Sequence, residues 1–380
     1  MLRYRLFSAA VGLLFLCACD SGGGSGSEAA TPAPSPAPAP TPTPAGLTSP
    51  VGIYALGGTE SPSTQILDKP FVDGWVIRLG WNRLEQSQGV YDFSGIDNAV
   101  SVLESYNKKL TIVIFSLEVP DYIRTDPSVS TYNASTPRGD VQTAVSWDLT
   151  ALSRWETFCQ ALSDHLLPDS SQPGAPLVAL RDHPVLAQID ASIVGIQGVR
   201  DIGGRLVATP GYNRTTFTAA ALRSMHAMVD RFPNKFRYLS FFRMSDATAS
   251  PVLDTHLLDT FMLEFNSGAV PQLGFFQENL ACDTPGTAVA SALYNTRGTT
   301  YSMFQMLQAW LDPFSNPVRT DPCLVTTVAG DRSTAISGPE VGIAYGFNTF
   351  GTRYFEIYTV DLLHANFADD FQLWHGMIHQ

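Results

Sequence analysis

Charge is scarce in this chain. Only 15% of its 380 residues are Asp, Glu, Lys or Arg, well below the usual quarter of a globular protein. Basic residues are scarcer still, 23 Lys plus Arg against 35 Asp plus Glu, for a net charge of -12. Without a basic footprint, DNA, RNA and anionic lipid headgroups are poor partners, while neutral ligands stay open. Catalytic signatures are missing too. There is no G-x-S-x-G elbow, no phosphate loop, and no partner pattern for a Ser-His-Asp triad among the seven His residues. Cysteines number five and form no Cys-x-x-Cys pair. His375 and His379, at i, i+4 near the C-terminus, read as a solvated helix end, so neither a metal nor a cofactor is expected. What the chain does have is 44% hydrophobic and 11% aromatic residues, enough to bury a sizeable core.

The N-terminus points to the compartment. Arg3 and Arg5 precede an apolar run from Leu6 to Leu16, too short for a comfortable transmembrane helix and of signal-peptide proportions. The run ends in Leu16-Cys17-Ala18-Cys19, which resembles a bacterial lipobox with Cys19 as the lipidated first mature residue. Residues 1–18 are therefore expected to be a lipoprotein signal. The lipid at Cys19 would anchor the chain to a membrane of the cell envelope, at the periplasmic face of the inner membrane or at the outer membrane. Residues 19–50 cannot form a core. A Gly/Ser stretch gives way to seven prolines between Pro32 and Pro44, which favours an extended spacer. Of the remaining cysteines, Cys159 sits in a helical pattern and reads as a buried thiol. Cys282 and Cys323 lie in Pro/Asp-rich loops, where an oxidising compartment permits a disulfide; two buried free thiols are the alternative.

From residue 51 to 380 strands and helices alternate in one domain. Strands are expected at Val51–Leu56, Gly74–Trp81, Lys109–Leu117, Ser192–Val199, Phe236–Met244, Gln272–Gln277, Ser302–Leu307 and Arg353–Tyr358. The KLTIVIFSL run is continuous and β-branched, the mark of a strand buried on both faces. Helices are expected at Ser94–Asn107, Leu149–Leu166, Thr216–Arg231, Leu253–Asn266, Ala288–Asn295 and Pro339–Phe350. Eight parallel strands with intervening helices describe an α/β fold, a (β/α)8 TIM barrel. A doubly wound sheet is the rival, but Gly57-Gly58 falls short of a G-x-G-x-x-G turn.

In such a barrel the ligand site lies at the carboxyl ends of the strands. Those ends supply Arg78 and Trp81, Glu118, Arg200 and Asp201, Asp246, Glu278 and Asn279, Gln305 or Gln308 with Trp310, and Glu356 with Tyr358. Carboxylates, amides and indoles on one rim suit a polyol, whose hydroxyls pair with polar groups while its C–H face stacks on a ring. Trp81, Trp155 and Trp310 are equally explicable as packing, Trp155 above all.

One segment is familiar. Arg78-Leu79-Gly80-Trp81-Asn82-Arg83-Leu84-Glu85-Gln86-Ser87-Gln88-Gly89-Val90-Tyr91-Asp92-Phe93 resembles the "W-x-x-L-E-P-x-x-G-x-Y-D-F" stretch of clan A glycoside hydrolases, notably the family 42 β-galactosidase type. Ile96-Asp97, Lys108–Phe115 and Pro120 continue the match, with Tyr122 where the family has Trp. Residues 351–358 and Asp361 look like the last strand of related barrels. The resemblance implies a sugar-active TIM barrel in which Glu85 is structural.

The departures are as informative. Family members carry an Asn-Glu acid/base at the end of strand four and a nucleophile Glu at the end of strand seven; neither is here. Hydrolysis needs two carboxyl groups, and the candidates are Glu278, Asp201 and Glu356. Asp201 is open to a local ion pair with Arg200 or Arg205, and Glu356 to one with Arg78. The expected function is a surface-tethered glycoside hydrolase acting on an oligo- or polysaccharide. Glu278 would be its nucleophile and Asp201 or Glu356 its proton donor, with Arg78, Trp81, Glu118, Asp246, Asn279, Gln305, Trp310 and Tyr358 binding the sugar. The alternative is a carbohydrate-binding lipoprotein on a barrel that has lost hydrolysis.

Overall fold

The computed structural model describes residues 47, 49–57, 60–136, 139–246, 251–268, 272–278, 280, 294, 297, 302–305, 326–328, 331–335 and 339–380. Cys19 and the Pro-rich segment, Asn279, Cys282, Trp310 and Cys323 lie outside them, as does the expected helix 288–295 apart from Tyr294.

Eight strands form the centre: β1 (Gly52–Leu56), β2 (Gly74–Gly80), β3 (Lys109–Phe115), β4 (Leu186–Asp190), β5 (Phe236–Ser240), β6 (Leu273–Gln277), β7 (Ser302–Gln305) and β8 (Tyr354–Tyr358). Each pairs in parallel with its neighbours in the chain, and β8 pairs with β1, so the sheet closes into a barrel. The helices packed around it include α1 (Ser94–Ser105), α2 (Leu149–Asp164), α3 (Arg214–Val229), α4 (Leu253–Asn266), α5 (Pro339–Phe350) and α6 (Ala368–Ile378). In α1, buried Ile96, Ala99, Val100 and Leu103 fall on one face at helical spacing. The starts of α2 and α3 are fixed by side-chain caps: Asp148 accepts from the Ala151 N–H at 2.9 Å and Asn213 from that of Thr216 at 3.1 Å.

Strand periodicity divides the core in two. Along β2, Trp75, Ile77 and Leu79 belong to the layer between sheet and helices. Val76 belongs to the lumen, with Tyr54, Leu56, Val113, Phe236, Tyr238, Phe276 and Tyr354. Arg78, two residues beyond Val76, continues the lumen face of β2 and carries the one basic side chain that pairs with Glu356 there.

Strand four departs from expectation. The run Ser192–Val199 was the more apolar candidate, yet the barrel uses Leu186–Asp190, and Val199 contributes only a parallel bridge to Phe241. A five-residue strand with Gln and Asp on its lumen face lacks the apolar continuity that marks a strand buried on both faces. The correction moves the carboxyl end of strand four from Arg200-Asp201 back to Asp190. An antiparallel hairpin of Thr131–Thr136 and Gly139–Ala144 also sits between β3 and α2, and α6 follows β8; neither was expected.

Candidate functional site

A directional hydrogen-bond chain fills the lumen beneath the mouth. Gln188 Nε2 on β4 donates to Thr111 Oγ1 on β3 at 3.1 Å, and Thr111 lies 2.9 Å from the Tyr354 hydroxyl on β8. That hydroxyl donates to Glu356 Oε1 at 3.1 Å, while Arg78 Nη2 donates to Glu356 Oε2 at 2.9 Å. With Glu356 accepting at the far end, each hydroxyl has one consistent direction in which to donate. Burial disfavours charge on Arg78, but Glu356 outweighs it with help from Tyr238 and Glu278, and the guanidinium is held above its ordinary range. The Arg78–Glu356 ion pair expected as an alternative to a catalytic Glu356 is thus present, and the Glu356 side chain is completely buried.

Asp190 is the group that sequence reasoning missed. It ends β4, is 4% exposed, and lines a narrow cleft of about 10 Å³ together with Arg78, Gln197, Tyr238, Ser240 and Glu278. Its Oδ2 lies 2.6 Å from Ser192 Oγ, which is itself 2.7 Å from the Ile114 carbonyl oxygen. A hydroxyl has one proton. Ser192 is the donor in both contacts, so its one proton is shared between the Asp190 carboxyl and the Ile114 carbonyl. Burial pushes the Asp190 carboxyl up to about 7, with the Ser192 hydrogen bond and Arg78 pulling it back and Glu356 adding to the rise. Its Oδ1 has no hydrogen-bond partner among the described residues.

Glu278 follows β6 on the same cleft. Arg200 Nη2 donates to its Oε2 at 2.6 Å, and the Arg200 guanidinium lies 3.4 Å from the Phe242 ring centroid. Arg200 reaches this position because Gly198, at φ +62, turns the chain where a Cβ would meet the Ser240 backbone carbonyl. Gln197 lines both this cleft and a second of similar size, which extends over Tyr132 and Ser135 of the hairpin toward Asp201.

The other expected residues are distributed as follows. Asp201 accepts from the backbone N–H groups of Leu206, at 3.0 and 3.1 Å, and Val207, at 3.1 Å; it closes its own loop. Asp246 is buried and holds Arg214 and Tyr212, the latter at 2.7 Å, its carboxyl kept below the ordinary range by Arg214 first of all. Trp81 is fully buried edge-on against Trp155, and its Nε1–H donates to Glu85 Oε2 at 2.9 Å, so it offers no face to a ligand. Glu85 also accepts from the Gly89 N–H at 2.9 Å, a structural role. Glu118 lies beside the end of β2, its carbonyl accepting from the Asn82 N–H at 2.8 Å and its carboxylate against Gly80. Tyr358 is half-buried at the end of β8, and Gln305 stands beside Glu356 in the β7–β8 register. The structure therefore brings Arg78, Glu278 and Glu356 together, adds Asp190 and Arg200, and leaves Trp81, Asp201 and Asp246 in packing or loop-closing positions.

The catalytic domain of β-amylase from Paenibacillus polymyxa is similar in structure, with a TM-score of 0.53 at 8% identity, over 86% of this chain and 98% of that one. Xylanase B from Clostridium stercorarium F9 aligns at 0.44 and 13% identity, covering 81% and 85%. Endo-glycoceramidase II from Rhodococcus sp. aligns at 0.42 and 10% identity, covering 84% and 76%. No family model and no curated protein sequence matches the chain. At such identities the likeness is one of fold, and the β-amylase domain carries it: this chain shares the curled parallel α/β architecture of that domain.

Proposed function

We propose that the chain is a glycoside hydrolase on a (β/α)8 barrel related to the family 42 type, with Asp190 as proton donor and Glu278 as the second carboxyl. The observation that carries this reading is Asp190 itself, a carboxyl group at the mouth that burial raises to about 7, in one cleft with Glu278 and Arg78. Two carboxyl groups with different environments are what glycoside hydrolysis needs. Asp190, neutral below about 7, would protonate the glycosidic oxygen. Glu278, opposite Arg200, would attack the anomeric carbon in a retaining enzyme or activate water in an inverting one. Glu356 would act by orienting Arg78 toward the cleft. The segment from Arg78 to Phe93 and the shared architecture support the same reading.

A second reading, binding without turnover, is favoured by one contact: the 2.6 Å pairing of Arg200 with Glu278 occupies an oxygen that hydrolysis would use. Hydrolysis of aryl-glycosides and soluble polysaccharides separates the two. Turnover that Asp190→Asn removes supports the enzyme. Glycan binding by a folded protein that turns over nothing at any pH supports the binder. We further propose export and anchoring through Cys19, supported by the Arg3–Cys19 pattern. Labelled palmitate should enter the wild type and not Cys19→Ala.

A further inference from the structure

A second cluster lies at the opposite end of the barrel. Asp73 immediately precedes β2, where its N–H donates to the Ile53 carbonyl and its own carbonyl accepts from the Lys109 N–H at 3.0 Å. Its carboxylate is fixed on one side, because Oδ2 accepts from the Ile53 N–H at 2.8 Å. Gly52, at φ +121, leaves the space that this carboxylate occupies. The other oxygen, Oδ1, faces α6. That helix buries Phe371, Trp374 and Ile378 in the core and carries His375 in its last turn, with His379 at its C-cap four residues on. Both imidazole Nε2 atoms lie 3.1 Å from Asp73 Oδ1, with the two rings 4.5 Å apart. One ligand atom from each of the three residues falls within 4.8 Å of the other two.

These separations are those of a coordination polyhedron. Nitrogen and oxygen ligands held at about 2.0–2.1 Å from a common ion stand about 2.8–3.4 Å apart, depending on whether the angle is octahedral or tetrahedral. Two imidazoles four residues apart at the end of a helix, completed by a carboxylate from a rigid strand end, also form a donor set that discriminates among ions. It suits Zn²⁺ and neighbouring transition metals and disfavours Mg²⁺ and Ca²⁺, which take oxygen ligands.

We propose that Asp73, His375 and His379 form a three-ligand transition-metal site, for Zn²⁺ in the first instance, that clasps the C-terminal helix to the amino-terminal floor of the barrel. Water completes the coordination, since His379 is 40% exposed. The clasp joins residues more than 300 positions apart in sequence, so its effect is on stability. It is independent of what the cleft at the other end does.

The test uses the full chain stripped with EDTA. Zn²⁺ titrated into it should bind with one-to-one stoichiometry and raise Tm by roughly 2–4 °C at tenfold excess over Kd. Mg²⁺ and Ca²⁺ should leave Tm unchanged, and Co²⁺ should give a visible d–d absorption that Zn²⁺ displaces. Because His379 is partly exposed, His379→Gln should fold normally and weaken Zn²⁺ binding at least roughly tenfold. The proposal is overturned if Zn²⁺ changes neither heat nor Tm up to millimolar concentration. It is equally overturned if His375→Gln and His379→Gln both bind Zn²⁺ as tightly as the wild type, or if Co²⁺ gives no such band. No outcome depends on glycan turnover.

Discussion

Replacing Asp190 by Asn should make the protein more stable and less active, and the stability gain should grow with pH. The carboxyl is 4% exposed and raised from an ordinary 3.8 to about 7. A group raised in this way keeps its proton in the folded state at a pH where the unfolded chain has lost it. The folded state is therefore most favoured below about 3.8, and that stability is lost as the pH climbs through 7. At about 1.36 kcal/mol per pH unit, the loss approaches roughly 4 kcal/mol. Asn is neutral at every pH, and its amide oxygen can accept from Ser192 Oγ as the carboxyl does. Asp190→Asn should thus match the wild type near pH 4 and exceed it by up to about 4 kcal/mol near pH 8. Urea unfolding of the two proteins in parallel, at intervals from pH 4 to 9, isolates the effect because every other titrating group is common to both. Two parallel stability curves, or a variant weaker than the wild type at pH 8, would refute the reasoning and return Asp190 to the status of an ordinary buried carboxylate.

Glu278→Gln should abolish turnover while changing Tm little, because Gln has the same shape and its amide oxygen can still accept from Arg200. A large loss of Tm with activity retained would make it a structural partner of Arg200. Glu356→Gln should cost about 3–5 kcal/mol by removing the buried carboxylate that faces the Arg78 guanidinium, and Arg78→Met with Glu356→Gln should recover much of that in urea unfolding. Trp81→Phe should lower stability by roughly 1–3 kcal/mol, since Glu85 Oε2 loses its donor, with glycan affinity measured by calorimetry unchanged. If the chain is exported as proposed, mass spectrometry should find Cys282 and Cys323 joined in a disulfide, with no free thiol at either position.

The barrel was legible where burial imposes a pattern. The Lys109–Phe115 run and the apolar face of α1 could be nothing else, and both occur within two residues of their expected bounds. The sequence misled where a polar lumen replaces an apolar one. Leu186–Asp190 carries Gln188 and Asp190 on the face that β-branched residues usually fill, so the apolar Ile193–Val199 stretch outcompeted it. The same slip hid Asp190 and drew attention to Asp201, whose two backbone N–H partners lie several residues downstream. Glu278 stood out because a carboxylate after an apolar strand has few packing explanations, while Glu356, inside β8, was open to the Arg78 ion pair that the structure shows. The arginine that Glu278 meets, Arg200, lies 78 residues away, and no local pattern encodes that. The Asp73–His375–His379 cluster escaped for the same reason: two histidines on a terminal helix acquire meaning only when the fold delivers a carboxylate to them.

The most direct test of the account is the pH dependence of kcat/KM for hydrolysis of the best aryl-glycoside found, in the wild type and in Asp190→Asn. A proton donor titrating at about 7 predicts activity that is flat below neutrality and falls tenfold per pH unit well above it. Asp190→Asn should lack measurable turnover on a substrate whose leaving group needs protonation. A wild-type profile with no descending limb between pH 6 and 8, or an Asp190→Asn variant that retains the wild-type rate and profile, would contradict it.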